Sequence, residues 1–500
     1  MKMTVVFMGA ESLSLESLSA VLKQGGHEVA LAFDPSLFDD VNYFKIPVLH
    51  RILDDRNGLI RKIISQKPDI VGFSVLTDNF AWALSVARDV KKALAVPIVF
   101  GGVYATAAAD YVLSRDCVDI VCLGEGEYPM LELLNSMQKC AVDYGIKNLW
   151  FKKKDTVIKN PIRPLCDLDA LPMPDKSLFE DEVNIGRMYM TMTTRGCPFA
   201  CSYCSHNFLS KFHGQRDLRR RSVDKVMREL LIMKKRYRYR EVGFYDSIFT
   251  VNKQWILDLM KRYKKEINVP FRAISHPLCI DQDIAVALKE SGCHRVQFGV
   301  QTFNEKTKKE VLLRPESNER ILKSFQVCDN AGLQYSCDHM FGLPGESEEE
   351  QVQAAKMYRN FKNRVRITCF WTTYFPSTDL VTIARDRGIL SGSDIEAINR
   401  AEAPCYIAGS HGYVKNSNLV DIFKNYEIFF RIMPILPKRT IDYIITHKLQ
   451  RFFKYLPKTL TLFIVDFIVM FAKNDLSGFQ YMDYYFLHFK KKILKKTRRG

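Results

Sequence analysis

Short apolar segments alternate with amphipathic segments over the first 140 residues. Runs such as "MTVVFMG", "PDIVGFSVL" and "VPIVFGG" have the length and aliphatic content of buried strands. Segments between them, such as "NFAWALSVARDVKKALA", have the periodicity of helices. Buried strands that alternate with helices predict a doubly wound, Rossmann-like parallel α/β domain in residues 1–140.

The same alternation returns in residues 187–380. Six apolar segments fit strands there: "MYMTMTT", "EVGFYDS", "FRAISHP", "RVQFGVQ", "QYSCDHMFGLP" and "RITCFWTTYFP". With helical segments between them, they predict a partial, TIM-like (β/α)6 barrel whose chemistry lies at the carboxyl ends of the strands. Residues 141–186 are polar and punctuated by proline, which predicts a hairpin and a linker. Residues 381–500 are predicted to be mostly helical, with many aromatic residues.

Composition and charge limit the class of chain, its cellular compartment and its possible partners. A hydrophobic content of 47% with 26% charged residues indicates a globular chain, and the opening residues lack a secretory signal pattern. Thirteen scattered cysteines favour a reducing cytoplasm. Of the net charge of +17, residues 421–500 carry +10, with 16 Lys/Arg against 6 Asp/Glu. Such a basic end suits either nucleic acid or the anionic inner face of the cell membrane.

Within that end, "TLTLFIVDFIVMFA" (459–472) is 14 residues long, whereas a membrane span needs about 20. It is therefore predicted to be a buried or interfacial helix, with the cationic ends suited to a peripheral membrane contact.

Three closely spaced cysteines directly follow the first strand of the predicted barrel. "TRGCPFACSYCSH" (194–206) contains Cys197, Cys201 and Cys204 and no fourth cysteine nearby. A structural zinc site normally has four protein ligands, as does a cluster that only carries electrons. Three thiols indicate either a distant fourth ligand or a place left for an exchangeable one.

This CxxxCxxC loop resembles the cluster loop of radical S-adenosylmethionine (SAM) enzymes. "FYDSIFT", "GVQTFNEKTKKEVLLR" and "MFGLPGES" resemble later strands of that superfamily, in the same order. The resemblance implies that the three cysteines hold a 4Fe–4S cluster whose fourth iron binds SAM. Reductive cleavage of SAM there gives a 5′-deoxyadenosyl radical. The implied SAM contacts are Tyr203, Asp246, Gln301, Arg314, Gly342, Pro344 and Gly345. Tyr203 also suits simple packing, and Asp246 and Arg314 an ordinary ion pair or helix cap.

The amino-terminal domain resembles the cobalamin-binding subgroup of the same superfamily. Its candidate cobalamin contacts lie at predicted strand ends, where open α/β sheets bind ligands: Ser74, Leu76, Gly101, Gly102, Gly124, Glu125 and Gly126. The glycines are equally compatible with tight turns alone. Many corrinoid proteins carry Asp-x-His-x-x-Gly after the first strand, but this chain has "GAESLSLESL" there, without histidine. Either cobalt is bound without a protein histidine or the cofactor has been lost; retention is favoured.

The resemblance implies radical chemistry on an unactivated carbon, most commonly methylation. Cyclisation, rearrangement or carbon–carbon coupling fits the same motifs. The basic, aromatic carboxyl-terminal region favours a small hydrophobic or lipid-like substrate, and the chemistry requires an external one-electron reductant of flavodoxin or ferredoxin type. An RNA methylthiotransferase is disfavoured, because a second set of three amino-terminal cysteines is missing. A non-enzymatic corrinoid or iron–sulfur sensor is also disfavoured, because a sensor does not need an open iron.

Candidate acid–base groups are His206 and His276, although a lone histidine at a strand end is more often simply hydrogen-bonded. Cys405 and His411 are conceivable active-site residues, but structural roles are favoured for both.

Overall fold

The computed structural model describes all of residues 1–500 except 41–43, 155, 217, 405–410, 415, 476–477 and 498–500. The first part of the chain contains nine strands and seven helices within these described residues. In chain order they are β1 (Lys2–Met8), α1 (Leu13–Gln24), β2 (Glu28–Asp34), β3 (Asp39–Asp40), β4 (Phe44–Lys45), α2 (Pro47–Leu53), α3 (Arg56–Ser65), β5 (Ile70–Ser74), α4 (Phe80–Ala93), β6 (Ile98–Gly101), α5 (Val103–Ala107), α6 (Ala109–Leu113), β7 (Ile120–Cys122), α7 (Glu127–Gln138), β8 (Leu149–Lys153) and β9 (Thr156–Lys159).

Seven of these strands form one sheet in the order β2-β1-β5-β6-β7-β8-β9. The first five are parallel, and helices pack on both faces over separate apolar clusters. The predicted doubly wound α/β domain is therefore confirmed. The hairpin β8–β9, which the sequence placed in the linker, extends this sheet antiparallel to β7, because Leu149 and Phe151 are buried against it.

A second sheet contains six parallel strands in sequence order, β10-β13-β14-β15-β16-β17, with β10 and β17 at its edges. The predicted partial (β/α)6 barrel is confirmed. Its elements are β10 (Tyr189–Thr191), β11 (Thr194–Arg195), α8 (Ser205–Phe212), β12 (Arg219–Arg220), α9 (Val223–Tyr237), β13 (Val242–Phe244), α10 (Lys253–Glu266), β14 (Phe271–Ser275), α11 (Gln282–Glu290), β15 (Cys293–Gln301), α12 (Glu305–Glu310), α13 (Asn318–Asn330), β16 (Tyr335–Phe341), α14 (Glu348–Tyr358), β17 (Arg364–Trp371) and α15 (Asp379–Asp386). Short 3₁₀ helices occupy Lys176–Leu178 before the barrel and Pro277–Cys279 after β14.

The carboxyl-terminal region is helical, as predicted. It contains α16 (Gly392–Asn399), α17 (Ser417–Ile432), α18 (Lys438–Thr446), α19 (Lys458–Ala472) and α20 (Gly478–Thr497), with 3₁₀ helices at Met433–Ile435 and Leu449–Tyr455. Aromatic residues of α17, including Phe423 and Phe430, pack into the core beside β16 and β17.

Two carboxyl-terminal contacts tie this region to both domains. Asp475 accepts two hydrogen bonds from Arg295 at 2.8 Å and pairs with Arg366 at 2.9 Å, which closes the base of the barrel. On α20, the Tyr484 hydroxyl donates to the carbonyls of Gly9 and Pro35 in the first domain. In the described part of the chain, no helix is both long and apolar enough to cross a membrane.

Candidate active site

The cysteine loop is an excursion from the carboxyl end of β10, closed at its base by the antiparallel pair β11–β12. Gly196 begins the loop with φ +96°, a backbone conformation that favours glycine. Ser202 then clamps the loop to the barrel, because its N–H donates to Leu312 O and its hydroxyl to Val311 O. Cys204 immediately precedes α8. The sequence-predicted loop therefore lies at the barrel mouth.

The three thiols share one electrostatic environment. Burial raises the pKa of Cys197, Cys201 and Cys204, and interaction among the three raises it further, whereas the positive charge of Arg314 lowers it. Among the described residues, no group of three or more His, Cys, Asp or Glu side chains is arranged to hold a metal ion directly. The donor set itself, three soft and mutually interacting thiols, fits an iron–sulfur cluster.

Arg314 is the centre of a buried network beside these thiols. It donates from Nη1 to the Tyr203 hydroxyl (2.8 Å), from Nη2 to Gly299 O (2.7 Å) and from Nε to Glu316 Oε1 (2.5 Å). His276 Nδ1 accepts from the Leu278 N–H, and its Nε2 lies 3.3 Å from Glu316 Oε2 and 3.1 Å from Arg314 Nη2. Burial opposes ionisation, yet His276 and Arg314 lower the pKa of Glu316 to about 2. The fixed arginine therefore keeps its positive charge towards the cysteines.

Asp246 follows β13 and is fully buried under the loop. Its Oδ1 accepts three hydrogen bonds, from the N–H and hydroxyl of Thr193 and the hydroxyl of Thr194, at 2.6–2.9 Å. Its Oδ2 is buried and accepts no hydrogen bond. Burial raises the pKa of this carboxyl, so an unmatched oxygen has an energetic reason to meet a donor. An ammonium group, such as that of SAM, would satisfy it.

The turn Gly342–Gly345 follows β16 and is held by a residue that sequence reasoning missed. Glu346 accepts hydrogen bonds from the N–H groups of Gly342 (2.7 Å) and Leu343 (3.1 Å), and Gln351 donates to its other oxygen. Burial raises the pKa of Glu346 to about 8. Both glycines of the turn have positive φ, 78° and 81°, and Pro344 lies between them. Gln301, at the end of β15, also has φ +66°.

At the carboxyl edge of the first sheet, two strand ends come into backbone contact. Gly102 has φ +100°, and a Cβ there would lie 2.7 Å from Val75 O, so only glycine fits. Thr106 links this turn to the next one, because its hydroxyl donates to Gly102 O and accepts from Gly124 N–H. Gly101, at the end of β6, has room for a Cβ, and Ser74 and Leu76 flank the contact, with Leu76 exposed. The result is a backbone-lined edge suited to a flat ligand.

The last predicted cobalamin-contacting turn, Gly124–Gly126, instead faces the barrel. Glu125 pairs with Arg195 (2.9 Å) and Arg219 (2.6 Å), the residues of the β11–β12 pair. Burial opposes ionisation, but these two arginines lower the pKa of Glu125 to about 2. Arg195 also pairs with Glu127 at the start of α7. A Cβ on Gly124 would lie 2.9 Å from His213, just beyond α8. This ion-pair network joins the sheet edge to the base of the cysteine loop.

The loop after β1, where the corrinoid histidine is missing, holds a different buried group. Lys176 Nζ lies 2.6 Å from Glu11 Oε1 and 2.7 Å from Glu16 Oε2, and all three side chains are buried. Burial opposes protonation, but the carboxylates of Glu16 and Glu11 keep the pKa of Lys176 above its ordinary value. A protonated amine has no lone pair, so Lys176 does not replace the histidine as a metal ligand.

The remaining candidate residues are His206, His411 and Cys405, and the two histidines lie in different surroundings. His206 Nε2 lies 2.7 Å from the Ser247 hydroxyl at the barrel mouth, and burial lowers the pKa of this histidine. The rings of His411 and Trp371 are 4.5 Å apart, a packing contact. Cys405 lies outside the described residues.

Comparisons with known proteins agree with this arrangement. The family model of the Radical SAM superfamily matches residues 191–358, and the model of the B12 binding domain matches residues 4–134. An uncharacterized methyltransferase of Pyrococcus horikoshii is 30% identical over 364 residues, covering 70% of this chain and 76% of the relative. The anaerobic magnesium-protoporphyrin IX monomethyl ester cyclase of Rubrivivax gelatinosus is 26% identical, covering 64% of this chain and 59% of that protein.

Solved structures show the same fold. The cobalamin-dependent SAM radical enzyme OxsB, with aqua-cobalamin and SAM bound, matches with a TM-score of 0.66 at 15% identity, covering all of this chain and 80% of that one. The radical SAM methyltransferase TsrM from Kitasatospora setae, with cobalamin and a 4Fe–4S cluster bound, matches with a TM-score of 0.62 at 16% identity, covering 77% and 75%.

Proposed function

Since the chain belongs to the cobalamin-dependent radical SAM enzymes, whose cofactors are a 4Fe–4S cluster, SAM and cobalamin, we propose that it methylates an unactivated carbon of a small hydrophobic or lipid-like metabolite. When bound, the cluster would supply the electron for reductive cleavage of SAM, and cobalamin would supply the methyl group that the substrate receives.

The observation that best supports this proposal is the ion-pair network of Glu125 with Arg195 and Arg219. Arg195 lies two residues before Cys197, and Glu125 lies at the carboxyl edge of the first sheet. Methyl transfer needs the methyl carrier and the radical source within reach of the same substrate carbon. An ion-pair network that holds the two edges together meets that need.

On this proposal, Cys197, Cys201 and Cys204 hold the cluster, and the surrounding residues position SAM. Asp246 would receive the SAM ammonium on its unmatched Oδ2. Arg314 would provide positive charge near the carboxylate, and Tyr203 fixes the arginine fork. Gln301 and the turn Gly342–Gly345 would border the ribose and adenine. The role of each protein group is to bind, orient and exclude water.

Cobalamin is proposed to lie on the backbone-lined edge formed by Ser74, Leu76, Gly101 and Gly102. Gly124 and Gly126 form the adjoining turn, whereas Glu125 is engaged by the barrel. In the loop where other corrinoid proteins place histidine, Glu11 pairs with the buried ammonium of Lys176. Cobalt is therefore proposed to bind without a protein nitrogen ligand from this loop.

The substrate is proposed to enter the barrel along the sheet face opposite the helices. Side chains alternate along β15, so Arg295, Gln297 and Gly299 share that face. Arg295 is closed off by Asp475 at the base, and Gly299 O binds Arg314 at the mouth. Between them, Gln297 donates to both oxygens of Asp338, at 2.9 and 3.0 Å, and burial raises the pKa of Asp338 to about 6.

Apolar side chains lie beside this polar pair at inward positions of neighbouring strands. They are partly buried and belong to Met190, Ile274 and Phe370. The combination suits a largely apolar substrate that presents one hydrogen-bond donor to Asp338.

Anaerobic reconstitution with a chemical reductant, SAM, methylcobalamin and a lipid extract tests the function. The proposal expects 5′-deoxyadenosine together with a product enlarged by one CH₂. A product that has instead lost hydrogen would favour the alternative, a radical cyclisation, which the similarity to the Rubrivivax cyclase also supports. Absence of 5′-deoxyadenosine from protein with a full cluster would refute both.

We also propose a flavodoxin- or ferredoxin-type reductant and a cytoplasmic location at the inner face of the membrane. The basic charge of the carboxyl-terminal region supports the second proposal.

A further inference from the structure

Helix α19 presents a continuous apolar face to solvent. Leu460, Phe463, Ile464, Phe467, Ile468 and Phe471 recur at helical spacing and are each 43–55% exposed. The preceding 3₁₀ helix continues the surface, since Phe452, Tyr455 and Leu456 are more exposed than most residues of their type. We call these nine residues the α19 face. Soluble monomers rarely expose so many adjacent large apolar side chains, and such patches mark interaction sites.

The helix itself is firmly packed, so the face is not a consequence of a loose segment. Val465 and Val469 on the opposite side are buried against Ile428 of α17. Asp466, the only acidic residue of the helix, pairs with Arg431 of α17 at 2.5 Å. The one charged residue of this apolar segment therefore has an ion-pair partner within the protein.

The charges around the face favour an anionic surface as its partner. Residues 443–473 contain five Lys/Arg and one acidic residue, Asp466. Lys448 and Lys454 are exposed, and Lys454 lies over the ring of Tyr455 at 5.0 Å. An apolar face bordered by lysine, arginine and tyrosine is typical of helices that lie in the plane of a membrane interface. With 15 residues, α19 is too short to span a bilayer, which needs about 20.

Helix α20, by contrast, contacts the protein through several side chains, while Phe486, Phe489 and Lys490 on the same helix are exposed. Lys491 pairs with Glu182 at 2.8 Å, and His488 Nε2 donates to the Glu182 carbonyl at 2.9 Å. Tyr484 and Tyr485 contact the first domain. This helix therefore packs on the first domain and on the segment before the barrel, and α19 exposes more large apolar side chains than α20 does.

We infer that the α19 face docks the enzyme on an anionic membrane surface, with its apolar side chains at the headgroup boundary and Lys448 and Lys454 at the lipid phosphates. The inference specifies the surface for the proposed peripheral location and is independent of the reaction catalysed. Each basic residue at such a surface raises the partition coefficient about fivefold, and the buried apolar area adds to it.

Flotation of the full-length, cofactor-loaded protein with vesicles tests the inference. Vesicles of equimolar phosphatidylglycerol and phosphatidylcholine are compared with phosphatidylcholine alone. The test variant carries Ile464→Gln, Phe467→Gln and Ile468→Gln. The matched control carries Ile52→Gln, Ile64→Gln and Ile232→Gln, which replace exposed helical isoleucines elsewhere. Circular dichroism melting establishes that both variants are folded.

We expect wild type and control to float with the anionic vesicles and the test variant to lose at least about tenfold in partition coefficient. A chain truncated after residue 488 is expected to retain most of its binding. Equal flotation of test variant and wild type would overturn the inference. So would ultracentrifugation in which lipid-free wild type is a dimer and the test variant a monomer, because the face would then join two copies. Formation of 5′-deoxyadenosine is measured in parallel, so that this result is separate from the proposed function. Normal SAM cleavage without flotation would refute the membrane-docking inference alone. Flotation without SAM cleavage would refute the proposed function alone.

Discussion

Replacing Glu125 by glutamine tests whether this carboxylate acts as an ion-pair partner between the two domains. In the wild type the carboxylate pairs with Arg195 and Arg219, which lower its pKa from 4.5 to about 2 although burial alone would raise it. That difference corresponds to about 3 kcal/mol of stability at neutral pH. The E125Q variant keeps the size of the side chain but not its charge. We therefore expect its free energy of unfolding at pH 7 to be lower by about 3 kcal/mol.

The pH dependence of the difference identifies its cause. A carboxyl whose pKa is lower in the folded protein stabilises the fold above its unfolded pKa and loses that contribution as the pH falls through the folded value. The gap between wild type and E125Q should therefore be nearly constant above pH 4.5 and close between pH 4.5 and 2. Urea unfolding followed by tryptophan fluorescence at several pH values measures it.

A matched control is Glu132→Gln, which breaks the more exposed pair of Glu132 with Arg163 at 2.7 Å. A surface pair contributes about 0–1 kcal/mol, so this variant should unfold almost as the wild type does. If E125Q and E132Q lose equally little, or if the E125Q gap persists unchanged below pH 4.5, the ion-pair account of Glu125 is wrong.

Three further variants test other parts of the structure. Asp475→Asn leaves Arg295 and Arg366 without their carboxylate at the barrel base, so thermal melting should show a loss of about 3 kcal/mol; an unchanged melt would contradict the closure. Arg314→Lys keeps the charge but loses the forked hydrogen bonds, so equilibrium binding should show SAM affinity about tenfold weaker at normal iron content; unchanged affinity would remove Arg314 from the SAM site. The Glu346→Gln side chain cannot ionise, whereas the pKa of Glu346 in the folded wild type is about 8, above the ordinary 4.5. Wild type should therefore lose stability relative to this variant as the pH rises from 4.5 to 8, as measured by urea unfolding. A stability difference that does not depend on pH would contradict the raised pKa of the buried carboxyl.

Much of the fold could be predicted because its signals are local. Most strands of both sheets are short segments rich in apolar residues, and the cysteine loop follows one of them directly, so its place at the barrel mouth follows from chain order alone. A motif marks the thiols and Asp246 as candidates. No local pattern marks the hydrogen-bond partners of Asp246, such as the Thr193 hydroxyl.

What could not be predicted depends on contacts between distant parts of the chain. Glu125 lies in a glycine-rich turn that resembles a cobalamin contact, but its arginine partners are 70 and 94 residues away. Tyr484 reaches the carbonyl of Gly9 across 475 residues, and no local pattern distinguishes such a helix from a solvated basic tail. Glu346 carries no signal beyond its place after the turn, because only the folded backbone shows that it caps two N–H groups.

On the proposed function, Cys197, Cys201 and Cys204 leave one iron of their cluster for SAM. Electron paramagnetic resonance of the anaerobically reduced protein, recorded before and after adding SAM, measures whether this iron is open. We expect a 4Fe–4S signal that SAM perturbs and that is absent from the Cys→Ala variants. A zinc-loaded protein without that signal, or a cluster whose signal SAM leaves unchanged, would contradict the account.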